Sequence, residues 1–268
     1  MRESGKGTLN GIEKCNDERV DIHCHCLPAV DDGPTTMQEA VMLCQGLVDD
    51  GLTTVIATPH QLGRFTDCNE SEQIRESVEL LNEELEKNEI SLTVMPGGDV
   101  RVDERICQLL ESDKILTLGD GGRYILLELP HQVFIDIEPL LVELNDMGVQ
   151  AIISHPERHL LLIKQSQVIL KWINLSASLQ ITAGSLLGEF GKLSQKAAWR
   201  LLIAGQVSIV ATDSHGLDSR RPCMKAAYEE ISNKLGEKTA QLVCVENPLR
   251  VLKSQDIVQL TPSELVVR

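Results

Sequence analysis

Seven short apolar runs constrain the fold of this chain more than any other feature. They occupy residues 19–25, 52–58, 90–96, 124–129, 149–154, 178–182 and 206–212, with stretches of helical period between and after them. The spacing predicts one helix capped by Thr35 or Thr36 and closed by Gly51, then helices over 71–87, 101–111, 138–147, 194–204 and 222–235. Ala40, Leu43, Cys44 and Leu47 form the apolar face of the first, and Ile74, Val78, Leu81 and Leu85 that of the second. Strand alternates with helix, no linker is rich in Pro, Gly or Ser, and no repeat is visible. That pattern predicts a single α/β domain built on a parallel sheet, in which the loops after the strands' carboxyl ends carry the chemistry.

The polar residues fall where that architecture would use them. His23 and His25 stand two apart in Val-Asp-Ile-His-Cys-His, so alternation along a strand points both imidazoles from one face. Asp32, His60, Asp99, Glu128, His155, Asp213 and His215 each lie at or just after the end of a predicted strand. Taken singly, each has a plain structural reading: Asp32 and Asp213 as turn residues, His60 as a loop residue after Pro59, Glu128 as the start of a turn at Pro130. Those readings do not explain why nine such groups come from six strand ends and include five of the seven histidines. A shared metal site does, because carboxylates in a strand core are costly without a cation.

Nine donors exceed what one ion requires, so two or three ions are expected. Mixed imidazole and carboxylate ligation suits Mn, Fe or Zn and disfavours Ca. Metals a few ångströms apart activate water and neutralise attacking and leaving oxygens, which is hydrolytic chemistry with phosphate esters the first candidate. Arg158, three residues after His155, and Arg220, five after His215, are placed to pair with phosphate oxygens, and Arg221 could stand in for Arg220.

Charge narrows the partners. The 268 residues carry 40 acidic against 25 basic side chains, a net of -15, which opposes nucleic acid or an anionic membrane surface as main partner. No run approaches eighteen apolar residues and residues 1–19 have no apolar signal core, so neither membrane insertion nor secretion is expected. The cysteines at 15, 24, 26, 44, 68, 107, 223 and 244 form no framework and read as thiols of a cytoplasmic protein. Residues 1–18 read as a flexible extension and 19–268 as the functional domain.

Some residues invite a wrong reading. Cys24 and Cys26 flank His25, but alternation turns them to the opposite face as packing residues. Cys244 and Arg250 have the spacing of a cysteine-dependent phosphatase loop, yet Val245, Glu246, Asn247, Pro248 and Leu249 supply no glycine, remove an amide and add a negative charge. His131 and His159 sit one loop beyond Glu128 and His155 and stay outside the core assignment, and Trp172 and Trp199 read as core.

With those residues in place, the chain resembles the polymerase and histidinol phosphatase (PHP) superfamily, and within it the bacterial manganese-dependent protein-tyrosine phosphatases of capsule and exopolysaccharide operons. The resemblance rests on Asp-Ile-His-Cys-His, Asp-Asp-Gly-Pro, Thr-Pro-His, the Glu128 strand, Ser-His-Pro-Glu-Arg and Thr-Asp-Ser-His, in family order from Val20 to Asn247. It implies a distorted (β/α)7 barrel of the PHP type, three metals with Mn first and Fe or Zn as alternatives, and attack on phosphorus by a metal-bound hydroxide. It also implies a phosphotyrosine protein as substrate, a bacterial tyrosine kinase of polysaccharide export. On that pattern His23, His25, Asp99 and Asp213 hold one ion, Asp99, Glu128 and His155 a second, and Asp32, His60 and His215 a third, with Arg158 and Arg220 on the phosphate. The chain departs at Asp99, where the family usually has a bridging Glu, so the metal bridge rests on a carboxylate one methylene shorter. A small-molecule phosphatase such as histidinol phosphatase, a metal-binding regulator without turnover, and an exonuclease, which the acidic balance disfavours, are the competing readings.

Overall fold

The longer strands form where apolar and β-branched residues dominate, and β2, β4 and β6 stop at or near a Pro or Gly. The computed structural model describes residues 18–260 apart from Asp67 and Gln132. The expected extension therefore lies outside the described residues except for Glu18, whose carboxylate meets Lys253 Nζ at 3.1 Å. The strands are β1 (Val20–Cys24), β2 (Thr54–Ala57), β3 (His60–Gln61), β4 (Thr93–Pro96), β5 (Asp99–Arg101), β6 (Tyr124–Glu128), β7 (Gln150–Ser154), β8 (Ser178–Thr182) and β9 (Ile209–Ala211).

All seven predicted runs contain a strand, but the second and third continue past their expected ends. Pro59 offers no N–H and Gly97-Gly98 no side chain to pack, so β2 gives way to β3 and β4 to β5. Every pairing is parallel, in a three-stranded sheet ordered β1-β2-β4 and a six-stranded sheet ordered β3-β5-β6-β7-β8-β9. The segment after β9 returns to β1: Cys24 bridges Ser214, the His25 amide donates to Ser214 O and the Asp213 amide to His23 O, both at 2.8 Å.

The helices are α1 (Met37–Asp49), α2 (Ser71–Lys87), α3 (Ile106–Glu111), α4 (Glu138–Asp146), α5 (Ser166–Asn174), α6 (Ala183–Leu187), α7 (Gly191–Ile203), α8 (Met224–Leu235), α9 (Glu237–Gln241) and α10 (Asn247–Leu252), the last two joined by a π turn at Leu242–Glu246. Helix α3 starts later than expected because β5 claims residues up to Arg101. Thr36, not Thr35, caps α1, its hydroxyl accepting from the Glu39 amide, while Glu39 reaches back to Thr35. None of the described helices is long and apolar enough to cross a membrane.

Two apolar clusters show how the sheets are used. The larger packs strand residues such as Val55, Ile125, Ile153, Leu179 and Val210 against the helices. The smaller gathers Val20, Ile22, Ile56, Tyr124, Leu126, Ile152, Ile209 and Ala211 on the opposite strand faces. Continued by the two-residue period, that second face turns polar toward the carboxyl ends, reaching Glu128 after Leu126 and Asp213 after Ala211. The strands thus hold an apolar floor below and polar groups above.

Simple alternation does not hold through β1. Asp21 pairs with Val55 and Cys24 with Ala57, so Ile22 and His23 together oppose one residue of β2. This bulge leaves Ile22 in the apolar floor and still brings His23 to the polar end, while Cys24 and Cys26 join the helix-facing core. The cysteines are packing residues opposite the histidines, as expected: the bulge resets the register at His23, and alternation holds from His23 to Cys26. Trp172 is fully buried and Trp199 half-buried, its indole N–H donating to Leu186 O.

Candidate metal centre

Every predicted donor reaches one region. Four overlapping groups have their donor atoms within 4.8 Å of one another: His25, Asp32, His60 and His215; His23, His155 and Asp213; His23, His25 and Asp99; His60, Asp99 and Glu128. All nine residues of the sequence constellation appear in them. The grouping differs from the implied one at four places: His155 clusters with His23 and Asp213 instead of with Asp99 and Glu128, His60 reaches the Asp99–Glu128 pair, His25 also joins Asp32, His60 and His215, and Asp213 stands apart from the His23, His25 and Asp99 group.

Several of these side chains are held by unusual backbone. His155 (φ 34°), Asp213 (φ 55°) and Arg220 (φ 50°) all adopt the left-handed region, which is uncommon for residues with a Cβ. His155 then leads into a 3-10 turn at Pro156–Arg158, where proline suits the first position. The His215 amide donates to Arg220 O at 2.9 Å and closes the loop that returns Arg220 to the centre. Asp32 is delivered by a turn that requires glycine, because a Cβ on Gly33 would lie 2.4 Å from His25 O.

The orientation of the imidazoles points to a cation. His23 Nδ1 faces Gln180 Oε1 at 3.0 Å and His25 Nδ1 faces Asp31 Oδ2 at 2.6 Å. Both acceptors assign the hydrogen to Nδ1, which leaves the two Nε2 lone pairs facing each other at 3.2 Å. Lone pairs so placed repel unless a cation lies between them or a proton is added. Asp99 completes the case: it is fully buried and neither carboxylate oxygen has a hydrogen-bond partner among the described residues. The nearest imidazole nitrogens are His60 Nδ1 at 3.3 Å and His23 Nε2 at 3.8 Å.

Proton affinities reflect the same crowding. Burial, the largest effect on His25 and His60, would lower both, yet Asp31 and Asp213 raise His25 to about 9, and Asp32 and Asp99 raise His60 to about 10. Burial and the charge of Asp99 push Glu128 up to about 7. Burial, aided by the charge of His25, pulls His215 down to about 4, and burial with Arg158 holds His155 well below the usual imidazole range. Asp213 stays far below the usual carboxylate range against strong burial, because Arg158 and His23 face it. The acids demand positive charge at the centre, and a donor set of imidazoles and carboxylates fits a divalent transition metal.

Both predicted phosphate-binding arginines are present, but their first partner is Asp213. Arg158 Nη2 donates to Asp213 Oδ2 at 2.5 Å, and Arg220 Nη2 to the same carboxylate at 2.7 Å. The Nε of each is buried without a hydrogen-bond partner among the described residues. Arg221 instead points to Glu189 at 3.6 Å and is largely exposed, so Arg220 is the better placed of the two.

A cleft of ≈ 270 Å³ opens over the centre, with Asp32, His60, Phe65, Arg101, His131 and Arg158 among its walls. His131 stacks on His155 with ring centroids 5.5 Å apart, at the rim. His159 is buried and lies outside the site: its Nδ1 accepts from the Leu162 amide and its Nε2 donates to Val133 O. Cys244 sits in the π turn, where burial pushes its thiol up and away from a nucleophile's range.

Sequence reasoning missed three supports. Asp31 orients His25 and also accepts from the His60 and Gly33 amides. Gln180 orients His23, and Arg101 Nη2 meets Glu128 Oε2 at 3.0 Å. Only Asp31 left a signal, its place beside Asp32 in Asp-Asp-Gly-Pro.

Comparison with known proteins accords with this geometry. The family model described as capsular polysaccharide synthesis, CpsB/CapC, matches residues 19–253. The tyrosine-protein phosphatase YwqE of Bacillus subtilis (strain 168) is 33% identical over 244 residues, covering 91% of this chain and 95% of the relative. The tyrosine-protein phosphatase CpsB of Streptococcus pneumoniae is 30% identical over 242 residues, covering 88% and 99%. A solved structure from the pair YwqE of B. subtilis and CpsB of S. pneumoniae, described as unique metal-dependent tyrosine phosphatases, superposes with a TM-score of 0.86 at 33% identity, covering 93% of this chain and all of that one.

Proposed function

The chain belongs to the capsular polysaccharide synthesis CpsB/CapC family, and from that premise we propose how its centre hydrolyses phosphotyrosine in proteins. It is a metal-dependent tyrosine-protein phosphatase. One observation carries the reading at the level of chemistry: the His23 and His25 Nε2 atoms meet at 3.2 Å beside Asp99, whose carboxylate has no hydrogen-bond partner among the described residues.

In this reading His25, Asp32, His60 and His215 hold one ion, and His23, His155, Asp213, Asp99 and Glu128 share one or two more. The metal is Mn, with Fe or Zn as substitutes. Bound there, the ions supply an activated water and neutralise charge on the phosphate. Asp31 and Gln180 fix the tautomers of His25 and His23, so their Nε2 atoms stay free to ligate. Arg158 and Arg220 offer their unpartnered N–H groups to the phosphate oxygens, and preorganised donors of that kind stabilise the charge of the transition state. The cleft walls exclude water from one side of the phosphoryl group.

The fold reading extends accordingly. Counting β2 with β3 and β4 with β5 as interrupted strands gives seven, and the Cys24–Ser214 bridge supports their closure into a distorted (β/α)7 barrel within a domain at 19–268. The substrate is the phosphotyrosine segment of a tyrosine kinase that controls capsule or exopolysaccharide synthesis. The free thiols of the described cysteines suit a cytoplasmic site of action.

The test is turnover of a phosphotyrosyl peptide and of p-nitrophenyl phosphate by Mn-loaded protein, with Arg158→Ala alongside. Hydrolysis of both, reduced about 100-fold or more in the variant, is expected. Turnover of a small phosphomonoester alone, with the peptide untouched, would return the assignment to a small-molecule phosphatase.

A further inference from the structure

An arginine that binds phosphate acts through the plane of its guanidinium, so whatever fixes that plane sets its affinity. Arg158 has one nitrogen committed: Nη2 donates to Thr182 Oγ1 and to Asp213 Oδ2, both at 2.5 Å. One face is covered as well, because its Cζ lies 3.7 Å from the centre of the Phe190 ring. Phe190 is half-buried and belongs to neither apolar cluster among the described residues, so the guanidinium rather than the core is its main partner.

The chain around Phe190 is built to deliver the ring. Gly188 (φ 92°) and Gly191 (φ 84°) take left-handed backbone on either side of it, and the Glu189 amide returns to Gly184 O at 2.9 Å. A Cβ on Gly184 would lie 2.8 Å from Glu189 Oε2 and 3.0 Å from Phe190 Cε2, so any larger residue there would press on the ring's seat. From the other side Glu157, fully buried, accepts from the Thr182 amide and the Ser185 hydroxyl, tying the Arg158 turn to the end of β8.

We propose that Phe190 is a positioning residue for substrate binding: stacked on Arg158, with Thr182 as its stop, it holds the guanidinium ready for the phosphate before substrate arrives. The inference rests on the proposed role of Arg158 and adds a residue that touches neither metal nor phosphate. A guanidinium ordered in advance loses less freedom on binding an oxyanion, and the stack itself favours the orientation.

The experiment compares wild type, Phe190→Leu, Phe190→Tyr and Arg158→Lys, with Phe190→Leu also placed in the Arg158→Lys background, all Mn-loaded. It reads orthophosphate affinity by calorimetry, KM and kcat for p-nitrophenyl phosphate, turnover of a phosphotyrosyl peptide, bound metal and Tm. Phe190→Leu should weaken orthophosphate binding and raise KM by about five-fold, with metal content and Tm near wild type, and Phe190→Tyr should restore both. In the Arg158→Lys background the same substitution should have little further effect, since a lysine presents no plane to stack. An equal loss in both backgrounds, or unchanged phosphate affinity in Phe190→Leu, would overturn the inference. Wild type that binds orthophosphate but hydrolyses no phosphotyrosyl peptide would sink the functional reading while leaving this one to be decided by the affinity ratios. Wild type that binds no orthophosphate would overturn both.

Discussion

Asp31 shows how much of this centre depends on groups that are not themselves donors to a metal. Its carboxylate is held down to about 2; burial, the largest effect, opposes this, but His25 and the Gly33 amide outweigh it. It fixes the His25 tautomer and ties the first loop to His60. Asp31→Ala should therefore weaken Mn binding by about 10- to 100-fold, measured by competition with a fluorescent chelator, while the fold survives. Unchanged affinity would mean that His25 is oriented by Asp213 alone. The convergence of these nine side chains was legible from residue type and position, because strand ends are where this architecture places chemistry. Their grouping was not: His155 meets His23 and Asp213 only because its left-handed backbone turns the ring toward β1, and a one-dimensional pattern carries no φ angle. Gln180 was invisible for another reason, since a glutamine in the strand run Ser-Leu-Gln-Ile-Thr has no chemical signature until β8 is set near His23. Asp99 places a short carboxylate in a fully buried position with His60 and His23 around it, and those two histidines are the groups through which it reaches the rest of the centre.

At the scale of elements, the turn and the bulge after and within β1 separate stability from function. Thr36→Ala removes the cap of α1 and should cost about 1 kcal/mol in chemical denaturation with kcat unchanged, since the helix faces the core away from the cleft. Gly33→Ala should behave differently. Its Cβ would strike His25 O, so the turn must move and carry Asp32 with it, at about 1–3 kcal/mol and with weakened metal binding. Equal metal affinity in Gly33→Ala and wild type would show that the turn has slack. Seven strand regions and most long helices were readable from period and breakers. The continuations β3 and β5 were not, because two or three residues after a Pro or Gly-Gly break show no alternation, and α9, the π turn and α10 are each too short to display a helical period.

For the whole molecule, the centre concentrates buried acids and imidazoles whose charges are balanced only when positive charge is added. Chelation should therefore lower the Tm of the purified protein, and returning Mn should raise it in proportion to the logarithm of free metal, since an ion that binds only the folded chain stabilises it by mass action. The net charge of -15 adds a second expectation at this scale, that duplex DNA binds weakly or not at all at physiological salt in an electrophoretic shift assay. Tight, salt-sensitive binding would contradict it. The central claim, that these nine side chains form a metal centre for phosphotyrosine hydrolysis, is tested most directly by stripping the protein of metal and titrating Mn back while bound metal and turnover of a phosphotyrosyl peptide are followed together. The expected result is no turnover in the stripped protein, activity rising as two to three ions bind per chain, and loss of that activity in His155→Ala. Full turnover by the stripped protein, or a fully loaded protein that leaves phosphotyrosine intact, would contradict it.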